Sequence, residues 1–295
     1  MNVTVMGATG HTGSKITPLL LESGARVRAL GRNANKLSLL ESAGAEVRAG
    51  DACDPAFLTQ AFRGADAVYT LLATDRQAPD YAVRQQQEGE AIAQAVRESG
   101  VRHVVTLSSL GAELPAGTGV IAGLHAQEER LQRLPSAPHL LFLRPVSFFE
   151  NFLEMLPLML ETGVHADSVL PDLAMPMVAA ADIAEAAAQA LLARDWQGVA
   201  VRELLGPRDM SHAEVTRILA EHLRRPDLRY VQIPDAEMAQ ALVEGGLSGS
   251  FAGLYVEMTR AFNANRLQPR EGRNAANTTR TRFEDFVAEA IPAPR

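Results

Sequence analysis

A glycine-rich stretch near the N-terminus decides the fold, and it reads Val3-Thr4-Val5-Met6-Gly7-Ala8-Thr9-Gly10-His11-Thr12-Gly13. An apolar strand runs directly into Gly7-x-x-Gly10-x-x-Gly13, and a helical pattern follows. In dinucleotide-binding folds, one glycine permits the tight turn, another lets the backbone approach a pyrophosphate, and the last lets the helix pack close to the strand. The helix N-terminus then points at the anion. A glycine triplet alone is a weak signal, but the flanking strand and helix predict a phosphate-binding turn.

Apolar strands and helical patterns alternate along the first half of the chain. Strands are predicted at residues 3–6, 26–30, 46–49, 67–72, 101–107 and 140–143. Helical patterns lie near residues 14–23, 34–43, 55–62, 82–98 and 124–133. This alternation, with buried apolar strands, predicts an α/β fold built on a parallel, doubly wound sheet of the Rossmann type.

After about residue 145 the alternation loosens, and a small, mostly α lobe is predicted. Its helices lie near residues 149–161, 182–193, 211–224, 235–244 and 251–264, with short strands near 200–205 and 228–233. The predicted division is a nucleotide-binding domain at residues 1–150, completed by part of residues 175–205, and a lobe formed mainly by residues 151–295. Ligands of such sheets bind at the carboxyl ends of the strands, so we expect the lobe to cover that edge.

Composition excludes several classes of function. The net charge is −7 and the basic residues are dispersed, which argues against nucleic acid or an anionic membrane as a partner. No apolar run reaches the roughly 20 residues of a membrane helix. The single cysteine, Cys53, cannot form an internal disulfide and suits a reducing cytoplasm, where we expect the protein to reside. Because the chain enters its first strand at Val3, we expect no signal peptide.

Metal and hydrolase chemistry are also not indicated. The seven histidines show no zinc-like spacing with cysteine or acidic residues, so no metal is expected. Ser108-Ser109 lacks the Gly-x-Ser-x-Gly setting of a hydrolase nucleophile. The chemistry is therefore expected to come from a bound dinucleotide.

The end of the second predicted strand indicates which dinucleotide is bound. Folds that bind NAD usually carry Asp or Glu there, whereas this chain reads Leu30-Gly31-Arg32-Asn33, with Lys36 one turn later. A cation beside a small residue suits the 2′-phosphate of NADP(H), which needs charge-assisted donors. We expect Arg32 to contact that phosphate, and Lys36 either to contact it or to lie on a solvated helix face.

Further motifs follow in order along the chain. They are Arg28-Ala29-Leu30-Gly31-Arg32-Asn33, Gly50-Asp51-x-x-Asp54, Ser108-Ser109-x-Gly111-Ala112, His125-x-x-x-Glu129, Leu143-Arg144-Pro145-x-x-Phe148-Phe149-Glu150-Asn151 and Met177-Val178-x-x-x-Asp182-Ile183-Ala184. With the glycine-rich stretch, this series resembles the NmrA-like branch of the atypical short-chain dehydrogenases/reductases over nearly the whole chain. Within that branch the resemblance is greatest to NADPH-dependent quinone oxidoreductases of type 2. It implies a Rossmann domain with a small C-terminal substrate lobe.

The resemblance also implies roles for individual residues. Asp51 is expected either to receive the adenine or to act as a turn residue capping the helix at Pro55. Ser108, after the fifth strand, is a further expected cofactor-binding residue. The remaining expected contacts are Gly7, Thr9, Gly10, His11, Thr12 and Gly13 around the pyrophosphate, Ala52 at the adenine, Leu71, Leu72 and Ala73 along the ribose or pyrophosphate, and Pro145 to Phe148 beside the nicotinamide.

The chain departs from typical short-chain dehydrogenases in its acid–base residues. Those enzymes use Tyr-x-x-x-Lys after the fifth strand, but here no tyrosine lies between Tyr81 and Tyr230, and no lysine follows residue 36. The dyad is therefore excluded, and ordinary alcohol–ketone chemistry loses its proton donor. His125 lies near the position of that tyrosine. It is a candidate catalytic residue, acting either as a proton shuttle or as a structural histidine of the cleft wall.

Two functions of different class remain. One is an NADPH-dependent reductase that passes hydride to a small-molecule electron acceptor such as a quinone, which needs no strong protein acid. The other is a non-catalytic NADP(H)-binding redox sensor that acts through protein contacts. The absence of an evident partner-binding segment favours the reductase. Either protein is expected to be a monomer or a homodimer.

Overall fold

The glycine-rich stretch connects the first strand to the first helix, as predicted. The computed structural model describes residues 1–73 and 75–292. Its first half contains strands β1 (Asn2–Val5), β2 (Arg26–Gly31), β3 (Glu46–Ala49), β4 (Ala67–Thr70), β5 (His103–Leu107) and β6 (His139–Pro145). Between them lie helices α1 (Gly13–Glu22), α2 (Ala34–Ser42), α3 (Pro55–Phe62), α4 (Tyr81–Ser99) and α5 (Ala122–Gln132), with a short 3₁₀ turn at Gly119–Ile121.

The second half is richer in helix but contains more strands than predicted. Its strands are β7 (Ser147–Phe148), β8 (Val164–Asp167), β9 (Met175–Val178), β10 (Val199–Leu204), β11 (Asp209–Met210) and β12 (Arg229–Gln232). Its helices are α6 (Glu150–Thr162), α7 (Ala180–Ala193), α8 (His212–His222), α9 (Asp235–Glu244), α10 (Gly249–Asn263) and α11 (Phe283–Ala290). Within the described ranges, no helix is both long enough and apolar enough to cross a membrane.

One parallel sheet organises the molecule, and the predicted doubly wound topology is confirmed. Its seven strands run in the order β10-β6-β5-β4-β1-β2-β3. Val3 of β1 pairs with Val27 of β2 on one side and with Ala67 of β4 on the other. The strand order reverses at β1, and such a switch point opens a crevice at the carboxyl ends of the strands. The glycine-rich stretch leaves β1 at this crevice.

Helices cover both faces of the sheet and bury two separate apolar cores. On one face, Ile16 of α1 and Ile183 of α7 pack with Val5 and Tyr69 of the sheet. On the other face, α3, α4 and α5 contribute Leu58, Phe62, Ile92 and Leu131 to the second core. The central strands β4, β5 and β6 are buried on both sides, which explains their nearly continuous apolar sequences.

The lobe carries two small sheets, and of their strands the sequence predicted only β12, near residues 228–233. One pairs β11, β9 and β7, and the other pairs β12 with β8. Helix α11 was also missed. The missed elements, β7, β8, β9, β11 and α11, have between two and eight residues, too few to show a clear hydrophobic period. The lobe's own core gathers Phe149, Phe152, Met177, Leu219 and Phe283.

Candidate active site

The turn after β1 has a geometry that requires glycine. Gly7 has φ +60°, and its carbonyl accepts a hydrogen bond from the N–H of Gly10 at 2.9 Å. The neighbouring Ala8 N–H donates to the carbonyl of Leu30 at 2.9 Å. A Cβ on Gly13 would lie 2.3 Å from the Gly7 carbonyl oxygen, so no larger residue fits there. The turn is therefore held close against the end of β2.

Helix α1 presents its N-terminus to the crevice. Its N-cap residue, Thr12, makes no side-chain cap to the first-turn N–H groups. The hydroxyl of Thr12 instead accepts a hydrogen bond from Tyr69 Oη at 2.9 Å. Burial raises the pKa of Tyr69, so the phenol keeps its proton and remains a donor. A helix N-terminus without a side-chain cap is suited to an anion such as a pyrophosphate.

A cavity of about 460 Å³, here called the turn cavity, extends from this helix N-terminus across the end of β2. Most of the residues predicted to bind the dinucleotide line it. They are Gly7, Thr9, Gly10, His11, Thr12, Arg32, Lys36, Ala52, Leu71, Leu72, Ala73 and Phe148. The glycine turn, the uncapped helix and the basic end of β2 together fit NADP(H).

The basic end of the turn cavity has no acidic side chain from β2. Arg32 and Lys36 are both exposed and both line the cavity. Asn33 caps α2, because its Oδ1 accepts the N–H of Asn35 at 2.9 Å and that of Lys36 at 3.3 Å. In NAD-binding folds a carboxylate at this strand end holds the ribose 2′-hydroxyl. Here the arrangement favours a phosphate in its place.

We expect Arg32→Ala to abolish most of a preference for NADPH over NADH. A charge-assisted contact contributes about 1.5–3 kcal/mol, so the parent should bind NADPH on the order of 10- to 100-fold more tightly. Isothermal titration with each cofactor measures both affinities. Arg26→Ala is the matched control, because Arg26 is an exposed arginine at the opposite end of β2. Equal affinity of the parent for both cofactors would contradict this assignment.

Some residues predicted to contact the cofactor lie outside the turn cavity. Gly13 is buried in the turn itself. Pro145 ends β6, where its carbonyl accepts the N–H of Leu110 at 2.9 Å. Ser108 lies in a neighbouring cavity, and Asp51 faces another element. The sequence predicts that these residues lie near the crevice, but it does not determine the direction in which each side chain points.

Asp51 is a turn residue held by a salt bridge. Its Oδ1 accepts from Arg84 Nη2 at 2.6 Å and from the N–H of Cys53 at 3.0 Å. These hydrogen bonds lower the pKa of Asp51. Helix α3 is capped by Asp54 and not by Asp51, so the expected helix cap was also misplaced. Ala52, the next residue, reaches the turn cavity.

Ser108 belongs to a buried network of charges that the sequence did not reveal. Its hydroxyl donates to Glu128 Oε1 at 2.5 Å. Glu128 also accepts from Arg144 Nε at 2.9 Å and from Arg144 Nη2 at 2.6 Å, and Glu113 accepts from Arg144 Nη1 at 3.0 Å. The Ser108 proton is therefore engaged with a carboxylate rather than directed at a ligand.

The imidazole of His125 in α5 is turned to the backbone. Its Nδ1 is 2.8 Å from the carbonyl oxygen of Ala112, which can only accept, so Nδ1 carries the hydrogen. Its Nε2 is 3.8 Å from Glu129 Oε1. His125 lines neither the turn cavity nor the two cavities described next. This placement favours a structural histidine over a proton shuttle.

Two further cavities continue from the turn cavity into the lobe. The central cavity, of about 280 Å³, shares Leu71, Leu72, Leu107 and Phe148 with the turn cavity. The distal cavity, of about 400 Å³, lies under α10 of the lobe. The residues shared by the central and distal cavities are Tyr81, Val120, Ser147, Asn151, Met258 and Phe262. Because they share lining residues, the three cavities adjoin one another along a path from the glycine turn to the lobe.

An ionic cluster joins the glycine turn to the lobe beside this path. Glu154 of α6 accepts from Arg76 Nη1 at 2.9 Å and lies 3.0 Å from His11 Nε2. The hydrogen bond from His11, with that from Arg76, lowers the pKa of Glu154 to about 2. The same contact raises the pKa of His11. Arg76, which lines both the turn and distal cavities, comes from a loop without a recognisable motif and was not predicted.

The distal cavity contains polar groups that the sequence did not identify. Tyr255 Oη donates to Asp167 Oδ2 at 2.7 Å, and the Val169 N–H donates to Asp167 Oδ1 at 3.2 Å. His165 and His212 stack with ring centroids 5.4 Å apart. Burial lowers the pKa of His212 and lowers that of His165 to about 3, so both rings are neutral at physiological pH.

Metal ligation is not apparent in the described part of the chain. Across residues 1–73 and 75–292, no group of three or more His, Cys, Asp or Glu side chains is arranged to hold a metal ion. The described residues instead form a crevice suited to a dinucleotide, and a largely apolar chamber lies beyond it.

Comparison with known proteins identifies the family. Residues 1–287 match the NmrA-like family. A (4-alkanoyl-5-oxo-2,5-dihydrofuran-3-yl)methyl phosphate reductase of Streptomyces griseus subsp. griseus is 32% identical, covering 78% of this chain and 77% of that protein. An NAD(P)H azoreductase of Xenophilus azovorans is 30% identical, covering 87% of this chain and 85% of that protein.

A solved crystal structure has a similar fold. The crystal structure of the NADPH-dependent quinone oxidoreductase QOR2 of Escherichia coli, complexed with NADPH, has a TM-score of 0.80 and 22% identity. The similarity covers 98% of this chain and 99% of that one. With the family match over nearly the whole sequence, these similarities show that the chain belongs to the NmrA-like family.

Proposed function

We propose that the protein is an NADPH-dependent reductase that transfers hydride to a quinone or a similar small electrophile. The observation that carries this proposal is the row of adjoining cavities that leads from the glycine turn, through the central cavity, to a largely apolar chamber in the lobe. The similar proteins named above include an NAD(P)H azoreductase and an NADPH-dependent quinone oxidoreductase, which supports the reaction class.

The residues of the turn cavity would hold the dinucleotide in one orientation. The uncapped N-terminus of α1 would receive the pyrophosphate, and Arg32 would receive the 2′-phosphate. Leu71, Leu107 and Phe148 line both the turn and central cavities and would exclude water from the nicotinamide end. Bound NADPH supplies the hydride, and the chain supplies position and an apolar enclosure.

Three groups that could act as acids, Ser108, His125 and Tyr255, are not available for that role. The Ser108 hydroxyl is committed to Glu128, and His125 lies outside the three cavities. Burial raises the pKa of Tyr255 far above its usual range, so that phenol does not release its proton readily. A quinone tolerates this environment, because its reduced anion is stabilised by delocalisation and water can protonate it.

We expect His125→Ala to change kcat by only a few-fold. A positioned general acid contributes roughly 10²- to 10⁴-fold, and the geometry of His125 gives it no such position. Steady-state kinetics with NADPH and a quinone measure the effect, with thermal melting as a check of the fold. A large fall in kcat at unchanged KM and unchanged stability would instead make His125 a proton donor.

The proposed function is tested by the oxidation of NADPH in the presence of a panel of quinones. We expect turnover with at least one quinone and no useful rate with simple secondary alcohols. NADPH affinity should be measured on the same preparation by calorimetry. Tight NADPH binding without oxidation by any acceptor would favour the redox-sensor function, and failure to bind NADPH would overturn the proposal altogether.

A further inference from the structure

Arg76 lies where the turn cavity and the distal cavity adjoin. Within residues 1–73 and 75–292 it is the one residue that lines both of them. It comes from the loop between β4 and α4, at the carboxyl end of the large sheet. A small acceptor that lies in the distal cavity and reaches toward the glycine turn would therefore pass this guanidinium.

Contacts from the lobe hold the Arg76 side chain in this position. Its Nη1 donates to Glu154 Oε2 of α6 at 2.9 Å. Its guanidinium carbon lies 5.9 Å from the centre of the Phe251 ring of α10. The backbone is held as well, because the Arg76 carbonyl accepts the N–H of Ser248 at 2.9 Å. A guanidinium held by these three contacts is already ordered for a ligand, which reduces the entropy lost on binding.

Most of the hydrogen-bond donors of Arg76 remain available to such a ligand. A guanidinium carries five N–H groups, and within the described ranges only Nη1 of Arg76 donates to a protein group. The side chain is 45% exposed. Its charge is permanent, because a guanidinium does not lose its proton in proteins. Arg76 can therefore donate hydrogen bonds to an acceptor oxygen and stabilise negative charge there, but it does not release a proton.

Arg76 is also the one charged base among the described residues that line the distal cavity. The two imidazoles there, of His165 and His212, are neutral because burial lowers the pKa of each. The two carboxylates have other donors: Asp167 accepts from a phenol and a backbone N–H, and Glu154 accepts from Arg76 itself. An anionic oxygen in this cavity is therefore stabilised at Arg76 and disfavoured near Asp167.

We propose that Arg76 binds the acceptor oxygen that becomes negatively charged on hydride transfer and stabilises that charge. This inference rests on the proposed function and adds a residue to its chemistry. Hydride addition to a neutral quinone gives a hydroquinone monoanion with the charge on oxygen, and the dinucleotide that supplied the hydride becomes NADP⁺. Water then supplies the proton that completes the hydroquinone, so charge and electrons balance. A fixed cation stabilises the developing anion more than the neutral quinone, and this difference lowers the barrier.

Steady-state kinetics with NADPH and a series of substituted benzoquinones test this role. We expect Arg76→Gln to lower kcat by about 10- to 100-fold, less than the loss of a fully buried oxyanion donor, because water screens a half-exposed guanidinium. Arg76→Lys keeps the charge and should retain more of kcat than Arg76→Gln. The loss should be larger for electron-rich quinones, because their more basic oxyanions gain more from a cation. Arg97→Gln is the matched control, since Arg97 is a half-exposed arginine in the last turn of α4, and it should keep the parental kcat.

A phenol probe tests the same role without turnover. The ionisation of 4-nitrophenol can be followed by visible absorbance in the NADP⁺-loaded protein, because the phenolate is the coloured form. A cation beside the bound probe favours the phenolate and lowers the apparent pKa of the phenol. We expect this lowering with the parent and with Arg97→Gln, and its loss with Arg76→Gln.

Two other roles for Arg76 predict different results. If Arg76 only braces α6, Glu154→Gln should lower kcat as much as Arg76→Gln and the bound phenol should ionise equally in every variant, which would overturn the proposal. We expect a smaller loss for Glu154→Gln, because the guanidinium remains. If Arg76 instead holds the pyrophosphate, Arg76→Gln should weaken NADPH binding in calorimetry and keep kcat at saturating NADPH, which would also overturn the proposal.

The parent protein separates this inference from the proposed function. If quinones oxidise NADPH in the parent and Arg76→Gln keeps the parental kcat, the role of Arg76 is rejected and the reductase function stands. If no quinone oxidises NADPH in the parent, the proposed function is overturned and the role of Arg76 is overturned with it.

Discussion

Gly10→Val is expected to weaken the affinity for NADPH on the order of 100-fold or more, equivalent to about 3 kcal/mol of binding free energy, while the protein stays folded. A Cβ on Gly10 would meet only the Gly7 carbonyl oxygen, at 3.3 Å, and no other atom within 4 Å. The extra methyl groups would therefore enter the open crevice at the N-terminus of α1, where the pyrophosphate is proposed to lie. Calorimetric titration with NADPH measures the loss, and circular dichroism with thermal melting checks the fold.

Two further variants at the same turn separate steric exclusion from misfolding. Gly10→Ala adds one methyl group and should give an intermediate affinity. Gly13→Val should instead impair folding, because a Cβ there would lie 2.3 Å from the Gly7 carbonyl oxygen and 2.8 Å from Ala8 Cα. Undiminished NADPH binding by a folded Gly10→Val protein would show that the pyrophosphate does not approach this turn.

The parts of the molecule that could be predicted from sequence are those that local periodicity specifies. Strands buried on both faces give apolar runs, and glycines punctuate the turns between them, so β1 to β6 and the intervening helices were located within a few residues. The placement of the glycine turn and Arg32 at one cavity was predictable, because the turn is contiguous in sequence and Arg32 directly follows β2. The strands β7 and β11 were not, since two residues establish no period.

The distal cavity could not be predicted, because its groups meet only through tertiary packing. Asp167 and Tyr255 are separated by 88 residues, and Arg76 and Glu154 by 78. Neither pair forms a motif, and each residue alone resembles an ordinary surface or helix position. The direction of the Asp51 side chain was unpredictable for a related reason. Asp51 lies in the loop after β3, whereas its partner Arg84 comes from helix α4. The sequence thus located the turn cavity better than the distal cavity.

The second large effect is expected on the stability of the protein. It concerns the buried network of Ser108, Glu128, Arg144 and Glu113 beside the central cavity. Glu128→Gln should lower the free energy of unfolding by about 3–5 kcal/mol, because it leaves the buried charge of Arg144 only partly compensated. The two hydrogen bonds from Arg144 to Glu128 require a carboxylate, and an amide would turn one N–H donor toward another. The melting temperature should therefore fall by roughly 5–8 °C in a chain of this size.

The adjacent residue supplies the control for this prediction. Glu129→Gln makes the same chemical change one position along α5, but Glu129 pairs with an exposed Arg133 on the surface. Such a pair contributes about 1 kcal/mol at most, so this variant should melt near the parent. A Glu128→Gln protein as stable as Glu129→Gln would mean that Glu113 alone compensates Arg144. In that case the tight contacts from Glu128 to Arg144 and Ser108 would order the wall of the central cavity without stabilising the fold.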